Sequence, residues 1–309
     1  WNAGVDVAFL NNRITASLDY YYRTTKDLLC FVPVSPGSST TNMLDQNVGT
    51  LENQGIEFAI NAKPIVTKDF TWSVGYNIAW NENKITKLNA TNDPNAYIPV
   101  GGIAGGTGGT CQAHKVGYPA FSYYLYEQVY DGSGNPIEGA YVDQDGDGII
   151  NENDKVIKYS KDPKVTMSFS TNFNYKNWDL GFVLRANIGN YVYNGVVAER
   201  SNLGNTFKNS NLSNLIDTDY YFSGTSTLSL NQSDYWVKNA SFLRCDNITL
   251  GYTWPSLLKE KLRLRLFGAV QNPFVITKYN GLDPEVFDGI DNNVYPRPVT
   301  FTLGLVATF

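Results

Sequence analysis

The sequence predicts an all-β fold: a transmembrane antiparallel β-barrel, to which this chain supplies about half of the strands. Apolar and polar residues alternate strictly over segments of about ten residues, as a strand requires when it has lipid on one side and a polar lumen on the other. Aromatic residues reach 14% while charged residues make up only 17%. The longest apolar stretches, such as 28–34, fall far short of the roughly 20 residues that a membrane-spanning helix needs.

The clearest alternation lies in the two segments 165–175 and 178–188. In the first, the odd positions form one face, and the even positions are Thr, Ser and Asn. The odd positions are Val165, Met167, Phe169, Thr171, Phe173 and Tyr175. Only Lys176 and Asn177 separate this segment from the next, which predicts a tight hairpin.

The same pattern recurs along the chain and predicts nine strands. Their alternating runs cover 5–9, 14–22, 56–62, 72–80, 165–175, 178–188, 248–252, 262–266 and 299–309. Trp and Tyr collect near the ends of these runs, as in the aromatic girdle of a membrane protein. The alternative is a soluble β-sandwich, but its strands are usually about 5 to 6 residues long and carry more charge outside.

Connection lengths predict which end of the barrel faces outward, because these barrels have short periplasmic turns and long external loops. The short turns are 11–13, 65–69, 176–177 and 255–261, and the long connections are 31–54, 83–163, 189–240 and 273–297. Segment 83–163 is therefore expected to be extracellular and to contain either no wall strand or two. Within it, Phe121–Tyr130 is strand-like and 131–135 is a turn.

Nine to eleven strands cannot enclose a wide lumen, whereas about 22 strands form the plugged outer-membrane transporters. We therefore expect residues 1–309 to be the C-terminal portion of a larger barrel, with the N-terminal plug and the first strands outside this sequence. The formal net charge of −5, without a basic cluster, argues against nucleic acid as a partner.

Cysteine and histidine are too few to suggest a catalytic centre. Cys30, Cys111 and Cys245 show no CxxC spacing, and His114 is the one histidine, so neither a zinc site nor a Ser-His-Asp site is expected. One disulfide, such as Cys30 to Cys111, remains open. The glycine-rich stretch 101–110 lacks the Lys-Ser/Thr ending of a phosphate-binding loop and is interpreted as an external loop. The sequence therefore predicts that the protein is not an enzyme.

The acidic segment 143–154 has the residue spacing of an EF-hand calcium loop. Three carboxylates two residues apart can turn toward one cation, and Gly148 permits the sharp turn. The final acidic residue is Asp in place of the usual Glu, as in dockerin-type loops. The predicted ligands of a structural Ca²⁺ are Asp143, Asp145, Asp147, the carbonyl of Ile149, and Asp154. The alternative is an acidic surface turn that binds no ion.

Several longer stretches resemble the SusC/RagA family of TonB-dependent outer-membrane transporters. They are DYWVKNASFLRCDNITLGYTWP at 234–255, QNPFVITKYNGLDPEV at 271–286, GTLENQGIEF at 49–58, VGYPAFSYY at 116–124 and VDQDGDGIINENDK at 142–155. In order and spacing they cover nearly the whole chain. The terminal Phe309 also resembles the aromatic end by which outer-membrane proteins are recognised for assembly.

This resemblance implies an outer-membrane location in a Gram-negative bacterium and active import of oligosaccharides or peptides. The implied partners are membrane lipid, the TonB complex acting through the missing N-terminal part, and a SusD-like surface lipoprotein that captures the solute. Two alternatives remain open: a TonB-dependent receptor for an iron chelate or vitamin without a lipoprotein cap, and a surface adhesin or structural barrel.

Neither the loop aromatics nor the lumen-facing charges identify a substrate contact from the sequence. The loop aromatics either stack on sugar rings, pack against the lipoprotein cap or brace the loops; they are Tyr97, Tyr220, Tyr221, Phe222 and Trp236. The lumen-facing charges either contact solute or form a salt-bridged lining; they are Arg185, Arg263, Arg265, Asp19 and Glu57.

Overall fold

The computed structural model describes residues 1–34, 37, 39–89, 93–103, 108–201, 230–257, 262–292 and 294–309. Within these ranges the chain is built almost wholly from β-strands. In chain order the elements are β1 (Asn2–Phe9), β2 (Ile14–Pro33), β3 (Met43–Val66), β4 (Phe70–Lys87), β5 (Tyr97–Gly102), β6 (Thr110–Lys115), β7 (Ser122–Tyr126), β8 (Gln128–Tyr130), β9 (Pro136–Tyr141), β10 (Lys155–Ser160), β11 (Val165–Tyr175), β12 (Trp178–Ile188), β13 (Tyr191–Tyr193), α1 (Gly195–Arg200), β14 (Val237–Asn239), β15 (Phe242–Leu257), β16 (Leu262–Thr277) and β17 (Thr300–Thr308).

Nine strands of the described chain form one antiparallel sheet, here called the wall. Its order is β1-β2-β3-β4-β11-β12-β15-β16-β17, so each strand pairs with its predecessor in the wall. The edge strands β1 and β17 do not pair with each other, so the sheet is open and makes about half of a barrel. The nine predicted strands and the all-β barrel fold are confirmed.

Segment 83–163 contributes nothing to the wall beyond the end of β4. β11 pairs directly with β4, in a register that joins Val165 to Trp80 and Tyr175 to Phe70. Of the two possibilities that the connection lengths allowed, the structure therefore selects the one with no additional wall strand. Its strand-like stretch 121–130 forms β7 and β8, which pair with β10, β6 and β9 outside the wall.

The wall strands are longer than the alternation predicts, and the expected long connection 31–54 is wrong. β2 has 20 residues and β3 has 24, so most of this segment is strand. A strand needs only about 9 to 11 residues to cross a bilayer at a tilt. Beyond the bilayer both faces of a strand meet water, so alternation is no longer required. A polar run such as 52–54 can therefore continue the strand without a sequence pattern that predicts it.

The outward face of the wall carries large apolar side chains that have no protein neighbour over them. Leu250 is 49% exposed, and Phe301 and Leu303 of β17 are 78% and 79% exposed. Thr171 is the polar member of this row and is buried. It accepts a hydrogen bond from the Trp72 indole at 2.9 Å and donates one to a backbone carbonyl, so its hydroxyl is not left unpaired toward lipid.

Aromatic rings gather at the end of the wall where the short turns lie, here called the turn end. The Trp72 and Phe173 rings stack with centroids 5.8 Å apart, and Trp178 meets Tyr252 edge-on at 4.7 Å. Tyr252 in turn meets Trp254 at 4.6 Å. Amphipathic rings in this arrangement are typical of the interfacial girdle of a membrane barrel, which confirms the expected girdle.

A β-bulge at Asp246 reverses the alternation of β15. Leu243 and Leu250 are seven positions apart, so a regular strand would point them to opposite faces. The register steps from Cys245 to Asn247 while the partner strand β12 advances by a single residue. The extra residue restores both leucines to the outward face.

The buried core of the described chain lies in the connections at the opposite end of the wall, here called the loop layer. There β10, β7, β6 and β5 form a second sheet. Buried side chains from three separate connections between wall strands pack together there: Ile103, Cys111, Tyr123, Leu125, Tyr193, Ala198, Leu230, Trp236, Val237 and Ile290. No helix in the described ranges is long and apolar enough to cross a membrane.

The disulfide between Cys30 and Cys111, one of the possibilities left open, is not formed. All three cysteines are free. Cys111 is sealed in the loop-layer core, where its thiol donates to the Gly101 carbonyl, whereas Cys30 lies on β2 against Gly49. In the stretch 101–110, residues 101 and 102 end β5 and Thr110 begins β6, while residues 104–107 lie outside the described residues.

An arginine on the outward face should destabilise the wall more than one on the lumen face. We expect Leu250→Arg to lower the free energy of unfolding in lipid bilayers by an amount that reaches roughly 2–4 kcal/mol at the bilayer midplane. Thr249→Arg, one position away on the polar face, is the matched control and should change it little. Urea unfolding in vesicles measures both, and equal losses would contradict the assigned faces.

Candidate functional site

Two groups of charged residues stand out in the described chain: an acidic cluster in the loop layer and a network of arginines and carboxylates on the lumen face. Each is held by more than one element. The acidic cluster occupies the predicted calcium loop, whereas the network joins the wall to the connection between β16 and β17.

The acidic cluster brings together three of the five predicted metal ligands. Carboxylate oxygens of Asp143, Asp145 and Asp147 all lie within 4.8 Å of one another. Gly146 and Gly148 have φ values of +75° and +79°, a backbone conformation that side-chain-bearing residues rarely adopt, and this lets the loop fold around the carboxylates. Their backbone N–H groups donate to the two oxygens of Asp143 at 2.7 and 2.8 Å.

These backbone donors affect the ionisation of Asp143. The N–H of Gly148, followed by that of Gly146, stabilises the charged carboxylate and holds the pKa of Asp143 below its ordinary value. The carboxylate is therefore ionised over the whole physiological range. An anionic oxygen cage of this kind suits a hard divalent cation.

The other two predicted ligands take different partners. Asp154 is fully buried and lies outside the group of three. Its carboxylate accepts the backbone N–H of Gln144 at 2.8 Å and that of Asn151 at 2.7 Å, closing the loop as a capping box. The carbonyl of Ile149 accepts a hydrogen bond from the Asn151 side chain at 3.1 Å.

A short chain of polar contacts attaches the acidic cluster to the rest of the loop layer. Gln144 donates to Glu127 at 3.0 Å, and Glu127 pairs with Lys158 of β10 at 2.7 Å. Lys158 also pairs with Asp234 at 3.2 Å. The hydrogen bond from Lys158 lowers the pKa of Glu127, which keeps this connection charged. The loop is thereby coupled to β10 and, through Asp234, to the connection between β12 and β15.

The network on the lumen face begins with two like charges. Arg185 of β12 and Arg244 of β15 lie directly opposite each other in the sheet, an arrangement that is unfavourable without counter-ions. Asp246, the bulge residue, and Glu285 both bind the Arg185 guanidinium, at 3.1 and 2.7 Å. Asp283 binds Arg244 at 2.6 Å, and both of these side chains are about 95% buried.

Arg297 completes the network from the far side of the same connection. Its guanidinium contacts Glu285 and lies 3.8 Å from Asp283. Burial by itself would raise the pKa of Glu285, but the guanidiniums of Arg185 and Arg297 outweigh it and hold that pKa below its ordinary value. Three arginines and three carboxylates therefore compensate one another around a buried pair.

The connection that supplies these acids is also tied to the loop-layer core. Ile290 forms a parallel bridge with Tyr193, whose N–H donates to the Gly289 carbonyl at 2.9 Å. The Tyr123 hydroxyl donates to the same carbonyl at 2.6 Å, and Gln112 donates to that of Asp288 at 2.9 Å. The connection is thus anchored both to the wall and to the loops.

The predicted lumen charges fall into two sets. Arg185 and Arg265 are salt-bridged, the latter to Asp179 through two nitrogens, so the lining interpretation holds for both. For Arg263, Asp19 and Glu57, the described part of the chain contains no ion pair.

Sequence reasoning missed the other members of the network: Arg244, Asp246, Asp283, Glu285 and Arg297. One signal was available, because the alternation of β15 reverses across Asp246. That reversal locates the bulge, but it does not identify the partner residues.

Among the predicted loop aromatics, Trp236 braces the loops. It is 1% exposed, and its indole donates to the Leu230 carbonyl at 2.7 Å. Tyr97 is 41% exposed and packs against the Tyr124 ring at 5.1 Å. The stretch 220–222 lies outside the described residues. His114 accepts the backbone N–H of Phe121 at 3.3 Å, and its ring meets the Phe121 ring edge-on at 4.5 Å.

The sequence is similar to TonB-dependent receptors over its whole length. The TonB-dependent receptor SusC of Bacteroides thetaiotaomicron is 48% identical over 315 residues, which cover 100% of this chain and 31% of SusC. The TonB-dependent receptor P3 of Formosa agariphila is 32% identical over 344 residues, covering 99% of this chain and 33% of that protein. The chain therefore spans about a third of the length of these relatives.

The fold agrees with solved structures. The RagAB peptide transporter superposes with a TM-score of 0.76 at 24% identity, covering 99% of this chain and 35% of that one. The open-open state of the RagAB peptide importer gives 0.76 over 98% of this chain and 34% of that one. The family described as TonB dependent receptor-like, beta-barrel matches residues 1–272. The chain belongs to this family and forms part of the wall of a β-barrel in the outer membrane of a Gram-negative bacterium.

Proposed function

We propose that the protein containing this chain imports oligosaccharides or peptides across the outer membrane, energised by TonB and assisted by a SusD-like surface lipoprotein. The observation that carries this proposal is the 48% identity to SusC over the full length of the chain. The chain contributes about half of the wall, the loop layer and part of the lumen lining. It has no catalytic role in this scheme.

The lumen face supports a polar, uncharged solute. On β11 this face consists of Thr166, Ser168, Ser170, Asn172 and Asn174, which donate and accept hydrogen bonds without a net charge. Three of the charged residues on β12 and β16 are engaged by partners: Arg265 and Asp179 form a bidentate pair, and Arg185 binds two carboxylates. An oligosaccharide or an uncharged peptide backbone matches such a surface.

Deleting the gene should abolish uptake of one class of polymer. We expect the deletion strain to lose growth on particular oligosaccharides or peptides, and a proton ionophore to stop uptake in the parent, because TonB transmits energy from the inner membrane. Radiolabelled uptake measures both effects. A defect confined to iron-limited or vitamin-limited medium would favour a receptor without a lipoprotein cap, and lost surface attachment with normal uptake would favour an adhesin.

We also propose that the acidic cluster of Asp143, Asp145 and Asp147 binds a structural Ca²⁺ and that segment 83–163 is extracellular. The mutual distances of the carboxylates and the positive-φ glycines between them support the site. Extracellular calcium modules need bind only at about 10⁻⁴ to 10⁻³ M. The ion would rigidify the loop.

Removing calcium should expose the region 131–163 to proteases. Limited proteolysis of the purified protein should be faster in chelator than in millimolar Ca²⁺, because three uncompensated carboxylates repel one another. The protease should cleave Asp145→Asn as fast in millimolar Ca²⁺ as in chelator. Asp131→Asn, in the neighbouring turn, should be protected by calcium like the parent. Protection that does not depend on calcium in the parent would refute the site.

The arginine network should hold the connection between β16 and β17 in place. Arg244→Gln leaves the buried Asp283 without its main partner and is expected to cost roughly 3–5 kcal/mol. Amide hydrogen exchange over 282–292 should rise accordingly. Arg265→Gln removes a pair that is about one-third exposed and serves as the matched control. Unchanged exchange in Arg244→Gln would show that the loop-layer contacts suffice.

The same network should be insensitive to mild acid. The pKa of Glu285 is lowered in the folded protein, so its contribution is fully present above the ordinary carboxyl pKa and is lost only as pH falls through the lowered value. Exchange over 282–292, corrected for the intrinsic rate, should therefore stay constant down to about pH 5. A rise between pH 7 and pH 5 would contradict this assignment.

A further inference from the structure

A notch interrupts the wall where β4 extends beyond the first residue of its neighbour β11. The two strands pair up to Trp80 and Val165, and β11 begins there, but β4 continues to Lys87 with β3 on its other side. Beyond Lys164 the wall therefore has a gap between β4 and the end of β12. The gap ends where the backbone of 117–118 pairs with Ile85 of β4. β10 and the residues that follow Ile188 border this gap from the loop layer.

The notch contains a cavity of about 370 Å³, within the roughly 300–1,000 Å³ typical of small-molecule sites. The three aromatic side chains among its lining residues come from three different elements: Trp80, Tyr159 and Tyr191. Trp80 is 37% exposed, and the two tyrosine rings stack with centroids 4.4 Å apart. The cavity thus offers aromatic surface that the protein itself does not fully cover.

The charges around the cavity cancel. Lys158 and Lys164 carry two positive charges, and Glu82 and Asp162 carry two negative ones. Lys158 is already paired with two carboxylates of the loop layer. An anionic ligand such as a phosphate would meet both carboxylates and gain little, so the lining favours a neutral ligand.

The polar atoms that remain available include both donors and acceptors. Ser160 accepts from the N–H of Asp162 at 3.3 Å and keeps its own hydroxyl proton to donate. Asp162 uses one oxygen for Lys161, and Glu82 uses one for Gln54, which leaves each a second oxygen to accept. A hydroxyl group is both donor and acceptor, so a polyhydroxylated ligand can use this mixed set.

We propose that the notch between β4, β10 and β12 binds a neutral sugar unit, with a C–H face of the ring on Trp80 and its hydroxyls on Ser160, Asp162 and Glu82. The negative face of an aromatic ring attracts the weakly positive C–H groups of a sugar. The site is separate from the lumen-face network. It rests on the proposed function only for the class of solute that the protein meets.

Binding to the purified full-length protein in detergent tests the site without any TonB-driven step. Calorimetry with a panel of neutral glucose, galactose and mannose disaccharides and trisaccharides provides the affinity, and tryptophan fluorescence reports on the notch. We expect at least one sugar to bind, Trp80→Leu to weaken it by about tenfold or more, and Trp80→Phe to retain most of the affinity. Trp178→Leu, at the turn end, is the matched control.

The possible results distinguish a sugar site in the notch from the alternatives. Heat-modifiable mobility on gels establishes that each variant is folded, and retained import by a folded Trp80→Leu that has lost binding supports a site outside the transport path. Sugar binding that Trp80→Leu leaves unchanged would overturn the proposal, as would the absence of binding by every sugar in the panel. Binding of phosphatidylglycerol vesicles that depends on Trp80 would instead assign the notch to lipid headgroups. Loss of import on gene deletion is scored independently, so either idea can fail alone.

Discussion

Lipid contact on one face of a continuous hydrogen-bonded sheet is the constraint on which the structure depends. Water is absent beside the wall, so each backbone N–H and C=O must pair with a neighbouring strand, and each outward side chain must be apolar or internally satisfied. Thr171 illustrates the rule, since the Trp72 indole and a backbone carbonyl engage its hydroxyl. The bulge at Asp246 shows that the rule is stronger than regular pairing, because the register shifts to keep Leu243 and Leu250 on one face.

This constraint moves the buried core of the described chain out of the wall. With lipid outside and a polar lumen inside, the wall has no interior to pack, and the buried aromatic and aliphatic side chains lie in the loop layer instead. The loop layer is therefore a folded unit with its own sheet. The connection carrying Asp283 and Glu285 joins it to the lumen face of the wall through Arg185 and Arg244.

The charged network ties the connection between β16 and β17 to the lumen face of the wall. Arg185 and Arg244 face each other across two strands, and the bulge residue Asp246 supplies one of the carboxylates between them. A buried ion pair contributes little stability relative to an apolar pair, but it admits few alternative arrangements. The network therefore defines how the connection sits on the wall. In the acidic cluster the N–H groups of Gly146 and Gly148 bind Asp143, whose carboxylate lies close to those of Asp145 and Asp147.

The sequence by itself determined the nine wall strands, their faces and the short turns, because alternation is a local pattern imposed by lipid and water. The spacing of the acidic loop was equally local, and three of its five predicted ligands do converge. Only the tertiary structure decided the extension of β2 and β3 beyond the alternating segments, the pairing of β11 with β4, and the partners of Arg185. These depend on contacts between residues up to about a hundred positions apart, and no local period records which distant side chains will meet.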